Sequence, residues 1–346
     1  MSINKTLIGR ENVELFIATT PYHILLSSVF CQENDYLIFA CDKPINNLVL
    51  SMIEKKFDNR YQIIRSLNYF KENPFRLLIF KKTLSKISND FLNYMFSRVF
   101  VFNDVDPIVQ FLLSNLKTRE VVLFEEGIGL YRDTKKRHRY VFSLLGKLFF
   151  GKNFENIKRI GESSFVDEIQ CFHPHRLSIT QKQKKVKKID KISFQELAFS
   201  LGIKQINVKN IFVGQPLVED GVITLNEYLD LIANLSHKIK EKNEELVIKL
   251  HPRERTGKFD NNVLDNCLIL DDFQTPIELL VNPSINPNIF TIYSSAVLSM
   301  SRINGVHCFS LLGLFNKHLV PDEISKMFEA EGIVDISDLN AVSDVL

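Results

Sequence analysis

Four short stretches place polar groups just where an apolar, β-branched run gives out. In a parallel α/β sheet those are the positions that meet ligands. In "VVLFEEGIGLY" a run ends at Phe124 and Glu125, Glu126 and Gly127 follow. Adjacent carboxylates repel, and partial desolvation of one raises its proton affinity toward that of a useful general base. Gly127 and Gly129 let the backbone turn and a ligand come close. In "VIKLHPRER" the run delivers His251 and Pro252 stops it. An imidazole there can donate to a phosphate or protonate a leaving oxygen. In "FTIYSSAVLSM" Ser294 and Ser295 open a helical pattern after Tyr293, and hydroxyls at a helix start suit a phosphate. In "IATTPYHIL" Thr19 and Thr20 precede Pro21, which fits a first helical turn, so a further helix start faces the same edge.

Each stretch also has a plain structural reading: an acidic turn, a strand-ending histidine, or an ordinary N-cap. A second His-Pro pair, His173-Pro174, follows a short run of its own, so the dipeptide alone does not mark a site. Asp104-x-Asp106 has the form used by some metal-dependent sugar transferases. Asp106 directly precedes Pro107, however, where it reads better as a helix cap, and no metal is expected. Neither GxxxxGK[ST] nor GxGxxG is present, which disfavours P-loop NTPases and the usual dinucleotide folds.

The elements that must position these residues alternate in type. Residues 13–18, 36–41, 61–66, 98–102, 120–124 and 169–172 read as strands, with helical patterns such as "PYHILLSSVF" and "DPIVQFLLSNL" between them. A polar, lysine-rich stretch, "SITQKQKKVKKIDKIS", reads as an exposed linker over about 180–205. Alternation then resumes with "NIFVG", "ELVIKL", "NCLILD", "IFTIY" and "VHCFSL" as strands. "TLNEYLDLIANLSHKIKEK" reads as a helix with a Thr224/Glu227 capping box. The expectation is α/β: two Rossmann-like doubly wound domains, 1–190 and 205–346, facing a central cleft.

The chain has 346 residues, 45% hydrophobic and 24% charged, with a net charge of +2. That balance indicates a globular protein and implies no nucleic-acid partner. Phenylalanine is abundant (28) and tryptophan absent. The five cysteines are scattered without a CxxC pair and read as reduced, buried thiols. The opening residues hold no signal-peptide core, and no apolar run nears the ~18 residues of a membrane span, so a cytoplasmic protein is expected.

In order along the chain, "LFEEGIGLY", "VGQP", "LHPRERTG" and "YSSAVLSM…VHCFSL", with a fainter echo in "FIATTPYHI", resemble bacterial sialyltransferases. The likeness is nearest to the lipooligosaccharide sialyltransferase group, glycosyltransferase family 52. It implies a GT-B architecture and inverting, metal-independent transfer from CMP-sialic acid to a sugar hydroxyl, with no cofactor. It places the acidic motif on Glu125-Glu126-Gly127, with Glu125 the expected base. The family often has aspartate here, so the chain departs in side-chain length. The resemblance further implies that His251 assists the departing CMP phosphate beside Pro252, and that Ser294 and Ser295 hold it. Close relatives have Ser-Gly at that pair. Glu278 would bind the ribose, Gly214 and Gln215 would line the nucleotide side, and Thr19 and Thr20 would face the sugar.

The acceptor implied is a terminal galactose of a lipooligosaccharide or capsular glycan. Glucosyl or polysialyl transfer, or a non-catalytic glycan- or nucleotide-binding role, are the alternatives. "RDTKKRHRYVFSLLGKLFFGKNF" is basic and then apolar. It reads as a surface helix with a lysine-rich flank, or as a patch resting peripherally on the anionic inner face of the membrane beside a glycolipid acceptor. A homodimer is compatible with all of this.

Overall fold

The computed structural model describes residues 13–41, 44–65, 74–132, 139–259, 267–270, 272–315 and 322–342. The chain divides into two compact units, Met1–Asp190 and Lys191–Leu346.

The first unit is built on a seven-stranded sheet: β1 (Glu14–Ala18), β2 (Tyr36–Cys41), β3 (Tyr61–Arg65), β4 (Phe96–Val101), β5 (Thr118–Phe124), β6 (Glu168–Cys171) and β7 (Lys185–Lys188). Its order is β3-β2-β1-β4-β5-β6-β7, and every pairing is parallel. Strands covered on both faces must be apolar throughout, and β1 and β2 are buried along nearly their whole length. The helices are α1 (Pro21–Phe30), α2 (Asn47–Phe57), α3 (Pro74–Asp90), α4 (Pro107–Asn115) and α5 (Arg139–Phe150). One face of the sheet packs Leu15, Ile38, Val101 and Leu123 with Leu84 of α3, Leu112 of α4 and Phe150 of α5 in a single core.

The second unit holds a six-stranded parallel sheet, β8 (Asn210–Val213), β9 (Leu246–Lys249), β10 (Cys267–Leu270), β11 (Asn288–Thr291), β12 (His307–Ser310) and β13 (Val334–Asp335), ordered β10-β9-β8-β11-β12-β13. Its helices are α6 (Gln195–Ser200), α7 (Leu225–Lys240), α8 (Ile277–Leu280), α9 (Ala296–Met300) and α10 (Asp322–Ala330). The capping box starts α7: Thr224 Oγ1 accepts from Glu227 N–H at 3.2 Å, and the Glu227 carboxylate accepts from Thr224 N–H at 2.7 Å. Tyr228, Leu231, Leu235 and Ile239 of α7 then face the core of Phe212, Ile248 and Phe290.

The lysine-rich stretch expected to be a linker is structured. Lys185–Lys188 forms the edge strand β7, with Glu168 opposite Lys185 and Cys171 opposite Lys188. Val186 packs inward on the core while the lysines line the edge, where charge discourages pairing with another chain. Lys185 bonds Glu168 and reaches Glu120 at 3.2 Å. The cysteines are free thiols, with Cys171 and Cys308 buried and Cys31, Cys41 and Cys267 partly exposed. Among the described residues no helix is long and apolar enough to cross a membrane.

Both sheets reverse direction of growth once, between β1 and β4 and between β8 and β11. Open α/β sheets bind ligands in the crevice outside the strands' carboxyl ends at such a point.

Candidate active site

At the carboxyl edge of the first sheet the two glutamates part company. Glu125 is buried, and its Oε2 accepts from Phe172 N–H at 2.8 Å and from the Tyr131 hydroxyl. Burial and the neighbouring Glu125 push the Tyr131 hydroxyl far above the ordinary phenol range, so it stays a donor. Tyr131 also accepts from His173 N–H at 3.1 Å, which ties the tip of β6 to the same knot. Glu125 therefore fastens the strand tips together. Glu126 instead has a side chain 23% exposed, and its Oε2 is hydrogen-bonded to His23 Nε2.

His23 is held from every side. It lies in the first turn of α1, is 1% exposed, and stacks on Phe102 with ring centroids 4.5 Å apart. Thr20 caps α1 by accepting from His23 N–H at 3.2 Å. Thr19 N–H donates to His23 Nδ1 at 3.0 Å. A backbone N–H can only donate, so Nδ1 carries the lone pair and the proton of the neutral ring sits on Nε2, aimed at Glu126. Thr19 and Thr20 thus both hold His23. Gly127 has φ +141°, a conformation that L side chains rarely adopt, and Gly129 is exposed beside Glu126 Oε1. A carboxylate held at one oxygen by an imidazole N–H, with its other oxygen beside an exposed glycine, is arranged to accept a proton.

Asp104 and Asp106 have structural partners. Asp104 is buried and accepts from Gly161 N–H at 2.7 Å and Ser163 N–H at 3.1 Å. Asp106 caps α4 through Ile108 N–H at 2.8 Å. Burial pushes both carboxyls up, offset by these N–H groups.

In the second unit His251 follows β9 and is partly exposed; Pro252 is exposed. Its Nδ1 accepts from Arg253 N–H at 3.1 Å, which again leaves the ring proton on Nε2. Burial holds the imidazole below its usual pKa, with Arg253 and Lys249 acting in the same direction and Glu254 and Asp220 opposing. Its main-chain N–H donates to Glu254 Oε2 at 2.6 Å. Glu254 is buried and accepts from Tyr228 at 2.8 Å and Lys258 at 2.6 Å. A Cβ at Gly214 would collide with this carboxylate, so a side chain there would have to displace Glu254 from its partners. Gln215 Oε1 accepts from Tyr293 N–H at 2.7 Å and joins the tip of β8 to that of β11. Ser294 N–H donates to Thr291 Oγ1 at 3.2 Å, and Ser294 Oγ accepts from Ala296 N–H at 3.3 Å. Ser295 is exposed. Glu278 is buried, accepts from Ser299 Oγ, and has its carboxyl pushed up by burial.

The expected residues fall into two groups, one on each sheet's carboxyl edge. Thr19, Thr20, Glu126 and Gly127 gather around His23, with Glu125 beside them. His251 and Gly214 gather around Glu254, while Gln215 reaches Tyr293 and Thr291, and Thr291 in turn accepts from Ser294 N–H. The reading from sequence missed His23, Tyr131, Glu254 and Lys249. The only signal for His23 was a histidine within an apolar helix three residues after its cap. Lys249, two residues before His251, is buried among Glu254, Asp272 and Glu278, and burial holds its pKa below the usual lysine value.

Among solved structures the chain is similar to the UDP-GlcNAc 2-epimerase of Methanocaldococcus jannaschii, with TM-score 0.56 and 12% identity over 96% of this chain and 91% of that one. It is also similar to a UDP-N-acetylglucosamine 2-epimerase with TM-score 0.54 and 10% identity, covering 97% of this chain and 86% of that one. At such identities the likeness concerns the fold alone, which is GT-B: two Rossmann-like α/β units. No curated protein matches the chain in sequence. The motifs pointed to sialyltransferases, and the family that matches is one of them. Residues 14–312 match the family described as alpha-2,8-polysialyltransferase (POLYST), and the chain belongs to that family.

Proposed function

We propose that this protein is an inverting, metal-independent sialyltransferase that uses CMP-sialic acid. Glu126, rather than Glu125, takes the proton of the acceptor hydroxyl as its oxygen attacks the anomeric carbon. The bond from that carbon to the phosphate oxygen breaks, and His251 Nε2–H donates to the departing CMP phosphate. A general base contributes about 10²–10⁴-fold to such a step. A sialyl donor needs little more than positioning, because its anomeric carbon bears a carboxylate and gains oxocarbenium character readily. Ser294 and Ser295 hold the phosphate, whose single charge hydroxyls and an imidazole can offset without a divalent ion. Gly214, Gln215 and Pro252 shape the nucleotide side, and Glu278 supports it through Ser299 rather than by touching the ribose.

One observation supports this choice of base. Of the two strand-tip carboxylates, Glu126 is the one both partly exposed and gripped by an imidazole. The acceptor we favour is a glycan already ending in sialic acid, because the family's description names α-2,8-polysialyl transfer. A terminal galactose of lipooligosaccharide or capsule is the second reading, favoured by the sequence motifs. Incubating the protein with CMP-sialic acid and either sialyllactose or lactose, read by mass spectrometry, separates them. A mass gain of one or more sialic acids on sialyllactose is expected. Gain on lactose alone would favour galactose, and transfer from UDP-glucose but not from CMP-sialic acid would overturn the donor.

A further inference from the structure

Helix α5 shows solvent the side chains that a helix ordinarily turns inward. Leu144, Leu145 and Leu148 are 72%, 46% and 64% exposed. At 100° per residue they share one face. The opposite face is fixed: Phe150 lies in the core, and Gly146 sits where any Cβ would collide with the Phe154 ring. Rolling the helix to hide its leucines would lift Phe150 out of the core. Helix α3 packs alongside. Lys81 Nζ donates to Leu148 O at 3.2 Å and links the two helices. Lys82 and Lys86 of α3 and Lys147 of α5 are exposed, as is Lys152 just beyond the end of α5. No Asp or Glu occurs in residues 77–89 or 139–154.

We propose that the α3–α5 face docks on an anionic membrane, with the leucines entering the headgroup–acyl boundary and the lysines meeting lipid phosphates. Exposed leucines on a helix whose charged residues, Arg139 and Lys147, are all cations are the pattern of an interfacial helix. The charge also argues against a second copy as occupant, since a two-fold contact would bring two sets of lysines together. A clustered apolar patch of this kind is uncommon on a protein that meets only water. Helix α5 crosses over between the parallel strands β5 and β6, so it begins at the carboxyl edge that carries Glu126. A lipid-linked acceptor would therefore lie under the same unit as that carboxylate. The docking surface does not depend on the sialyl-transfer reading.

The full chain would be sedimented with vesicles of equal parts phosphatidylglycerol and phosphatidylcholine, and with phosphatidylcholine alone. Binding to the anionic vesicles, weakened by salt, is expected. Leu144→Gln with Leu148→Gln, and separately Lys147→Glu with Lys152→Glu, should each lower partitioning by about tenfold or more while the melting temperature holds. Because the chain has no tryptophan, Leu144→Trp gives a single reporter that tolerates any folding loss in the other variants. Its emission should shift blue on anionic vesicles and be quenched by brominated acyl chains. Three results would each overturn the proposal: no binding at low salt, unchanged emission of the tryptophan variant, or self-association abolished by the leucine changes without any vesicle binding.

Discussion

The two carboxyl edges use the same pair of groups in opposite roles. In the first unit a buried histidine holds a carboxylate: His23 Nε2–H grips Glu126. In the second a buried carboxylate holds a histidine: Glu254 accepts from the main chain of His251. Both rings have Nδ1 occupied by a backbone N–H, from Thr19 and Arg253. Their remaining proton therefore sits on Nε2 in each case. In His23 that proton is taken by Glu126. For His251 no described side chain is bonded to it. Our proposal builds on that difference, with Glu126 as the acceptor of a proton and His251 as a hydrogen-bond donor.

The contrast can be broken at either edge. His251→Ala should lower kcat by about 10²–10⁴-fold in a steady-state assay, with circular dichroism unchanged. A loss below tenfold would remove the donor role. His23→Ala should lower kcat by about tenfold or more, while His23→Gln recovers part of it, because an amide N–H can still donate to Glu126. Equal losses in both would mean that packing on Phe102, not the Nε2–H, is what Glu126 needs. Glu125→Gln should act on stability instead. A buried acceptor of two hydrogen bonds weakened in this way costs about 1–3 kcal/mol, read as a lower melting temperature.

The smallest effect concerns pH. The His251 imidazolium is disfavoured in the folded chain, so the unfolded chain binds that proton first. The contribution is present above the unfolded pKa of about 6.5 and is lost as pH falls toward the lower folded value. His251→Asn should therefore flatten part of the fall in melting temperature on acidification. A steeper fall in the variant would reverse the sign of the burial effect.

Much of this was legible because local signals agreed. The apolar runs that became β1, β2 and β9, the Pro21 start of α1 and the capping box of α7 are all short-range features. What was hidden depended on distant partners. β7 reads as a charged linker until β6 pairs with it and Val186 turns inward. Glu125 and Glu126 are indistinguishable in sequence. Their separation rests on Tyr131, on Phe172 and on His23, the last 103 positions from Glu126. Glu254 looked like one of several surface charges after His251, yet it is buried and packs its carboxylate against Gly214. The motif favoured Glu125 as base; our proposal of Glu126 rests instead on pairing, which order along the chain does not reveal.

The most direct measurement sets Glu125→Gln and Glu126→Gln side by side with the unaltered protein, each given CMP-sialic acid and sialyllactose, with product mass followed over time. Transfer should survive in Glu125→Gln wherever that variant remains folded, and should fall by about 10²–10⁴-fold in Glu126→Gln. Near-normal transfer by Glu126→Gln, or loss confined to a well-folded Glu125→Gln, would contradict the assignment of the base.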